Sequence, residues 1–490
     1  MVMPSLSEAR AIDANTYKMI PLCEELYADI ITPVEVIRKL KTSSKHCFML
    51  ESVESSKNWG RYTFIGFDPK LLITCLDGTV RIVSSQGEEV FESADPNAHI
   101  QGILDQHKSA KVEGLPPFTG GLVGYFAYDY AKYSEDSLKL DAHDEENFND
   151  VDLMLFDKII AFDNLRQKIA LIVNIDSTDI ENSYQAGLEE IDQLKTLIEN
   201  KAESESFPGK ICSEFEPLFT KDEFCSMVEK TKGHIVEGDI FQVVLSNRWK
   251  ADFEGSIFDA YRYLRTSNPS PYMFYFSGSD VEIAGASPET LVKLHDGRLS
   301  TFPLAGTRPR GETPKEDARL AQELLEDEKE LAEHNMLVDL GRNDLGKISK
   351  FGSVAVEDYL SLLRFSHVMH IGSTVVGELQ DGKTGLDAIN AVLPAGTLSG
   401  APKIKAMQII NELEDNHRGI YGGAIGYLDF TGNMDTCIAI RIAYKKGDKV
   451  YLRSGAGIVA DSDPESEYYE CIHKSKAIVE SLEQLEGGLS

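Results

Sequence analysis

No apolar run in this chain approaches the roughly 20 residues that a membrane-spanning helix needs, so none is predicted. Positive charge is scarce: 49 Lys and Arg stand against 80 Asp and Glu, a net charge of −31. Such a field repels nucleic-acid phosphates and anionic lipid surfaces, and no local basic cluster opposes it. The sequence therefore predicts no nucleic-acid partner and no membrane partner. An anionic small molecule would be repelled as well, so a site for one must bring its own metal ion or focused cationic side chains. Cysteine is sparse and unpatterned, seven in all with no C-x-x-C pair, which fits reduced thiols in a cytoplasmic protein. The opening stretch MVMPSLSEARAIDANTYKMI lacks an apolar core and carries acidic residues, so no secretory signal is expected. There is no G-x-S-x-G, no cysteine in a G-x-C-x-G elbow, no P-loop, and no G-x-G-x-x-G that follows a strand and opens a helix. Hydrolase nucleophiles and nucleotide cradles are thus without their usual signatures.

What is present reads as α+β. At 490 residues the chain has room for two or three domains. Short β segments (CFMLESV, RYTFIGF, KLLITCL, TVRIVSS) run from about 47 to 92, split by turns such as Asp77-Gly78. In FTGGLVGYFAYDY, Gly120, Gly121 and Gly124 predict close backbone approach within a sheet. KIIAFDNLRQKIALIVNI reads as a hairpin, and 183–200 as an acidic surface helix. The Ser-, Glu- and Pro-containing stretch 201–217 is the linker candidate, dividing the chain into 1–200 and 218–485. Beyond Thr220 a helical period is ended by Gly238, before the strand FQVVLSNRW. Antiparallel-looking strands with clustered helices argue against a βαβ array.

Two Glu-x-x-Glu pairs stand out: Glu330 with Glu333, and Glu467 with Glu470, each in a helical context. Spacing i, i+3 sets both carboxylates of a pair on one helix face. Two such faces brought together suit Mg²⁺, a hard cation that takes oxygen ligands and keeps waters. In so acidic a chain most such pairs are simply solvated faces. The Gly-rich segments AGTLSGAPK, RGIYGGAIGY and RSGAGIVADS allow backbone N–H groups to approach a carboxylate, or serve as tight turns. His367 and His370, in an apolar setting, read more readily as core residues than as a catalyst.

The order of these segments is far more specific than any one of them. GDIFQVVLS, NPSPYMFY, GASPETL, PLAGTRPRG, EHNMLVDLGRNDLG, HVMHIGSTVVGEL, AGTLSGAPK, RGIYGGAIGY, IRIAY and SGAGIVADSDPESEYYE follow one another, with HKSKA behind them. Together they resemble the chorismate-utilising enzymes, and within them the large subunits (component I) of the anthranilate-forming branch. MLES, RYTFIG and PFTGGLVGYFAYD extend the resemblance into 1–200. It implies a two-domain α+β chorismate-binding fold, with antiparallel sheets flanked by helices and the active site in a cleft. The domain 1–200 would contribute to a feedback site, and 218–485 would carry catalysis.

Position by position, the resemblance implies Glu333 and Glu470 as Mg²⁺ ligands, with Glu330 and Glu467 behind them binding metal waters. Gly306, Thr307 and Thr397 become ring contacts. Tyr421, Arg441 and the Gly455–Ala456–Gly457 backbone become the grip on the enolpyruvyl carboxylate, where a planar Arg fork suits a bidentate role. Lys474 falls near the metal-bound carboxylate. Glu289 is implied as the acid that protonates the departing C4 hydroxyl, and His370, rather than His367, as the base for the C2 proton.

Two vacancies separate the branches. Relatives that form a covalent adduct carry Lys in P-I-K-G-T, where this chain has Ala305; relatives that add water carry a lysine base where it has Gln242. With neither lysine, the implied nucleophile is free ammonia. No cysteine lies in a glutaminase elbow, so a separate glutamine amidotransferase subunit is implied as the ammonia source, in a heterotetramer of two large and two small subunits. Glu51, Ser52, Asn268, Pro269, Tyr272, Met273 and Phe274 match the positions where L-tryptophan binds as feedback inhibitor. The implied reading is a cytoplasmic lyase of tryptophan biosynthesis that turns chorismate and ammonia into anthranilate and pyruvate. The alternatives are an aminodeoxychorismate synthase and a catalytically silent tryptophan sensor.

Overall fold

The structure is a computed structural model that describes residues 2–52, 60–135, 137–200, 207–364 and 368–487. His367 and residues 201–206 of the linker candidate lie outside them. Two antiparallel sheets, one of 13 and one of 12 strands, account for its strands. Their central strands are apolar on both faces, and alternate residues serve different cores. In Tyr272–Ser277, Met273 and Tyr275 enter one core while Phe274 and Phe276 enter another. In Gly121–Phe126, Val123 and Tyr125 face the first sheet across a shared core, and Leu122 and Phe126 face outward to helices. Period-2 geometry turns this pattern into layers. An inter-sheet core built on Phe48, Phe156, Tyr125 and Phe274 is flanked by two helix-covered cores. The helices Pro33–Ser43, Ile180–Glu199, Phe258–Ser267 and Pro464–Glu483 cover one outer face, and Pro96–Gln106, Glu328–Gly346 and Gly385–Val392 the other. The α+β expectation with antiparallel sheets is what the structure has.

Both sheets draw on both halves of the chain. Cys47–Glu51 pairs with Tyr272–Ser277, and Gly121–Phe126 pairs with Ala424–Asp429. Within the stretch 201–217, Gly209–Ile211 and Glu216–Pro217 pair with the long strand Gln242–Gly255. Thr220 caps the helix Lys221–Glu237 in a capping box with Glu223, and Gly238 ends it at φ 85°. All seven cysteines are free. No helix among the described residues is long and apolar enough to cross a membrane.

The glycines of FTGGLVGYF meet the approach foreseen for them. A Cβ on Gly121 would stand 2.0 Å from the Leu428 carbonyl oxygen, and one on Gly124 would stand 1.9 Å from that of Asp152. Gly124→Ala is therefore expected to destabilise the protein by about 2 kcal/mol or more, through clash and backbone strain. A lowered Tm in thermal unfolding would bear this out; an unchanged Tm would contradict it.

Candidate active site

Where the ends of the two sheets meet the helices Glu328–Gly346 and Pro464–Glu483, a cavity of about 830 Å³ opens. Its floor comes from Gln242–Gly255 and Lys449–Ile458, paired so that Val244 faces Gly457 and Ser246 faces Gly455. Gly455 and Gly457 line the cavity, while Ala456 between them is buried in the opposite core. Side chains at either glycine would collide: Gly455 has the Tyr421 hydroxyl 3.0 Å from its Cβ position, and Gly457 has Gln242 Nε2 at 2.6 Å.

One wall is the strand Leu304–Pro309 beside Val368–Glu378. Its register shifts between Ala305 and Thr307, leaving Gly306 as a bulge at φ 69°. The bulge turns the Gly306 carbonyl to His370 Nδ1 at 2.8 Å, and Thr307 Oγ1 lies 3.1 Å from the same nitrogen. A carbonyl can only accept, so Nδ1 carries the proton and Nε2 presents its lone pair. Burial holds the His370 pKa below its ordinary value, which keeps the ring neutral. Opposite, Glu289 receives a hydrogen bond from Thr397 Oγ1 at 3.0 Å. Burial raises the Glu289 pKa against the opposing influences of Thr397, Lys474 and Arg441, so its carboxyl keeps a proton to higher pH than an exposed one. The Tyr421 hydroxyl is pushed up by burial and remains a donor. Arg441 faces the cavity from a left-handed backbone, φ 53°, and forms no ion pair among the described residues.

All four glutamates line this one cavity, two from each helix. Burial raises the Glu333 pKa, and the charges of Glu330 and Glu470 raise it further; Glu467 is raised likewise by burial and by Glu470. Glu333 and Glu467, each raised in part by a neighbouring carboxylate, belong to a set short of positive charge. Lys474 answers part of it, bonding Glu470 at 2.6 Å and the Gly455 carbonyl at 3.1 Å. Arg308 answers another part, reaching Glu330 at 3.3 Å and Asp327 at 2.7 Å. An oxygen-only donor set of this kind fits a hard divalent cation.

Thus every expected catalytic, substrate and metal residue except Ala456 lines the cavity, and Gln242 and Ala305 line it too. Sequence reasoning did not single out Lys329, Arg453, Asp461 or Ser462 as site residues, and all four also line it; the last three lie in the Gly-rich segment RSGAGIVADS, which pointed to its glycines instead. The positions expected for an inhibitor divide. Glu51 is buried opposite Met273, and its carboxylate is bound by Arg265 and the Tyr261 hydroxyl. Ser52 Oγ is buried without a hydrogen-bond partner among the described residues. Asn268 and Pro269 line the cavity itself. Tyr272 and Phe274 face the inter-sheet side, where the Tyr272 hydroxyl meets Thr290 and Asp435 at 2.9 and 2.7 Å.

The profile of the chorismate binding enzyme family matches residues 45–480. The anthranilate synthase component 1 of Acetivibrio thermocellus is 44% identical, over 99% of this chain and 99% of its own. That of Aquifex aeolicus is also 44% identical, over 98% and 97%. The crystal structure of anthranilate synthase component I from Streptococcus pneumoniae superposes with a TM-score of 0.78 at 37% identity, over 93% of this chain and 99% of that one.

The His370 geometry makes a prediction of its own. By ¹⁵N NMR the ring should carry its proton on Nδ1 and titrate with a midpoint below 6.5, the value of an unperturbed imidazole. A midpoint above 6.5 would contradict the dominance of burial, and a proton on Nε2 at neutral pH would contradict the assigned hydrogen bond.

Proposed function

This chain belongs to the chorismate-binding enzymes, and from that premise we propose how its cavity turns chorismate and ammonia into anthranilate and pyruvate. The observation that carries the reading is a conjunction. Ala305 and Gln242, neither able to act as a nucleophile or a base, line the same cavity as four glutamates, Glu289 and His370.

Ammonia adds at C2 of the ring as the C4 hydroxyl departs. Glu289, its pKa raised by burial and its carboxyl held by Thr397, gives that hydroxyl its proton, so it leaves as water. Neutral His370 then takes the C2 proton through Nε2, the C3–oxygen bond breaks, and the enolpyruvyl group, once protonated, departs as pyruvate. The ring becomes aromatic. Arg441 and the Tyr421 hydroxyl bind the enolpyruvyl carboxylate, and Gly306 and Thr307 flank the ring. Glu333 and Glu470 would hold Mg²⁺, with Glu330 and Glu467 behind them through waters. When bound, that ion supplies the positive charge that the ring carboxylate and these glutamates lack. Lys474 stands beside it.

Component 1 in the relatives' names implies a second component, here a glutamine amidotransferase supplying ammonia. That the two assemble as a heterotetramer in the cytoplasm is part of the same reading. L-Tryptophan as feedback inhibitor is supported by a buried carboxylate at Glu51 opposite Met273, a hydroxyl at Ser52 that has no partner among the described residues, and Asn268 and Pro269 at the rim of the cavity. A buried polar group without a partner carries a cost that a ligand can relieve.

The purified chain, given chorismate, ammonium and Mg²⁺, should form anthranilate, read by its fluorescence, and pyruvate in equal amounts, with L-tryptophan suppressing both. A non-aromatic amino product would replace this reading with an aminodeoxychorismate synthase. Glu333→Gln should cost on the order of 100-fold or more in turnover while the fold persists; full turnover would remove Glu333 from the metal site.

A further inference from the structure

Behind the cavity floor lies a charge cluster with almost no exposure to solvent, of which only Arg453 reaches the cavity lining. Glu414, Arg418 and Arg453 are 2%, 2% and 3% exposed. Glu414, at the end of the helix Lys403–Glu414, accepts from Arg418 at 2.6 and 3.0 Å, from Arg453 at 2.8 Å, and from the Ser246 backbone N–H at 2.7 Å. Burial alone would raise its pKa, but the two guanidiniums overcome that and hold it low, so the carboxylate stays ionised.

Arg418 does more than neutralise Glu414. Its remaining donors reach two backbone carbonyls, Leu398 at 2.6 Å and Val244 at 2.6 Å. Val244 belongs to the cavity floor, and Leu398 directly follows Thr397 in the short helical turn Gly396–Leu398. Thr397 is the residue that hydrogen-bonds Glu289. The guanidinium also lies 4.7 Å from the Tyr128 ring centre and 6.0 Å from that of Tyr421, another residue of the cavity. A flat, five-donor fork can hold a carboxylate and two carbonyls at once, which a lysine ammonium on a flexible stem cannot reproduce.

We propose that Arg418 is a positioning residue: clamped by Glu414, it fixes the Thr397 turn against the cavity floor and thereby sets the Glu289 carboxyl in place for proton transfer. The proposal rests on the role assigned to Glu289 above. It predicts that Arg418 acts on the chemical step and not on substrate capture, because Arg418 does not itself line the cavity and bonds none of Glu330, Glu333, Glu467 and Glu470.

The test is a double-mutant cycle of Arg418→Lys and Thr397→Val, with kcat, KM for chorismate and Tm measured for each variant. Arg418→Lys keeps a charge against Glu414, and Arg418→Gln, which keeps one amide donor, replaces it should the lysine variant fail to fold. Each single variant should lower kcat by about 10- to 100-fold, and Arg418→Lys should leave KM for chorismate nearly unchanged, since small misplacements of a reacting group cost rates of that order. The double variant should be no slower than the worse single one, because both break the same linkage. Multiplicative losses would overturn the proposal. So would a variant of lowered Tm whose kcat per folded enzyme is that of the unaltered protein, or one that changes KM alone. Failure of the unaltered protein to form anthranilate would instead overturn the reading of the reaction, which keeps the two failures apart.

Discussion

Two strand pairings carry the architecture, and both join parts of the chain far apart in sequence. Cys47–Glu51 against Tyr272–Ser277 closes one sheet, and Gly121–Phe126 against Ala424–Asp429 closes the other. The second admits only glycine at its closest points, where backbone carbonyls take the space of a Cβ. Because the sheets are shared in this way, the aromatic core between them (Phe48, Tyr125, Phe156, Phe274) is built by both halves at once. The cavity depends on the same pairings. Its rim at Asn268–Pro269 leads directly into the strand that holds Glu51 opposite Met273, so one strand joins the expected inhibitor positions to the rim of the cavity.

Charge organises the rest. In a chain of net charge −31 a cavity for a multiply anionic substrate has to concentrate what positive charge there is. The structure does so with Arg441 and Lys474 facing the cavity, and with Arg308 on the glutamate side. Arg418 and Arg453 are spent differently, on a buried carboxylate that ties the floor strands to the turn carrying Thr397. A buried pair of this kind contributes little net stability compared with an apolar replacement, which points to placement as its role.

Much of this was legible in the sequence because it is local. The Gly238 helix stop, the close-approach glycines, and the i, i+3 glutamate pairs each follow from spacing over a few residues. The order of motifs then placed nearly all the cavity residues. What stayed hidden is long-range. Strand partners more than 200 positions apart leave no periodic trace, and neither does the choice of Arg265 as the partner of Glu51. Residues 207–217 have the composition of a connector, yet two short pieces of them find edge positions beside Gln242–Gly255. The Glu414 cluster was unreadable for a related reason: an i, i+4 Glu–Arg pair looks like a solvated helix face until folding buries it.

The central claim is that an alanine at 305 and a glutamine at 242 leave C2 of the substrate open to free ammonia. Mass spectrometry of a turnover with ¹⁵N-ammonium tests it most directly, recording product and protein together. The account predicts ¹⁵N in the amino group of the aromatic product and a protein of unmodified mass throughout. A covalent adduct on the protein, or a product carrying a hydroxyl in place of the amine, would contradict it.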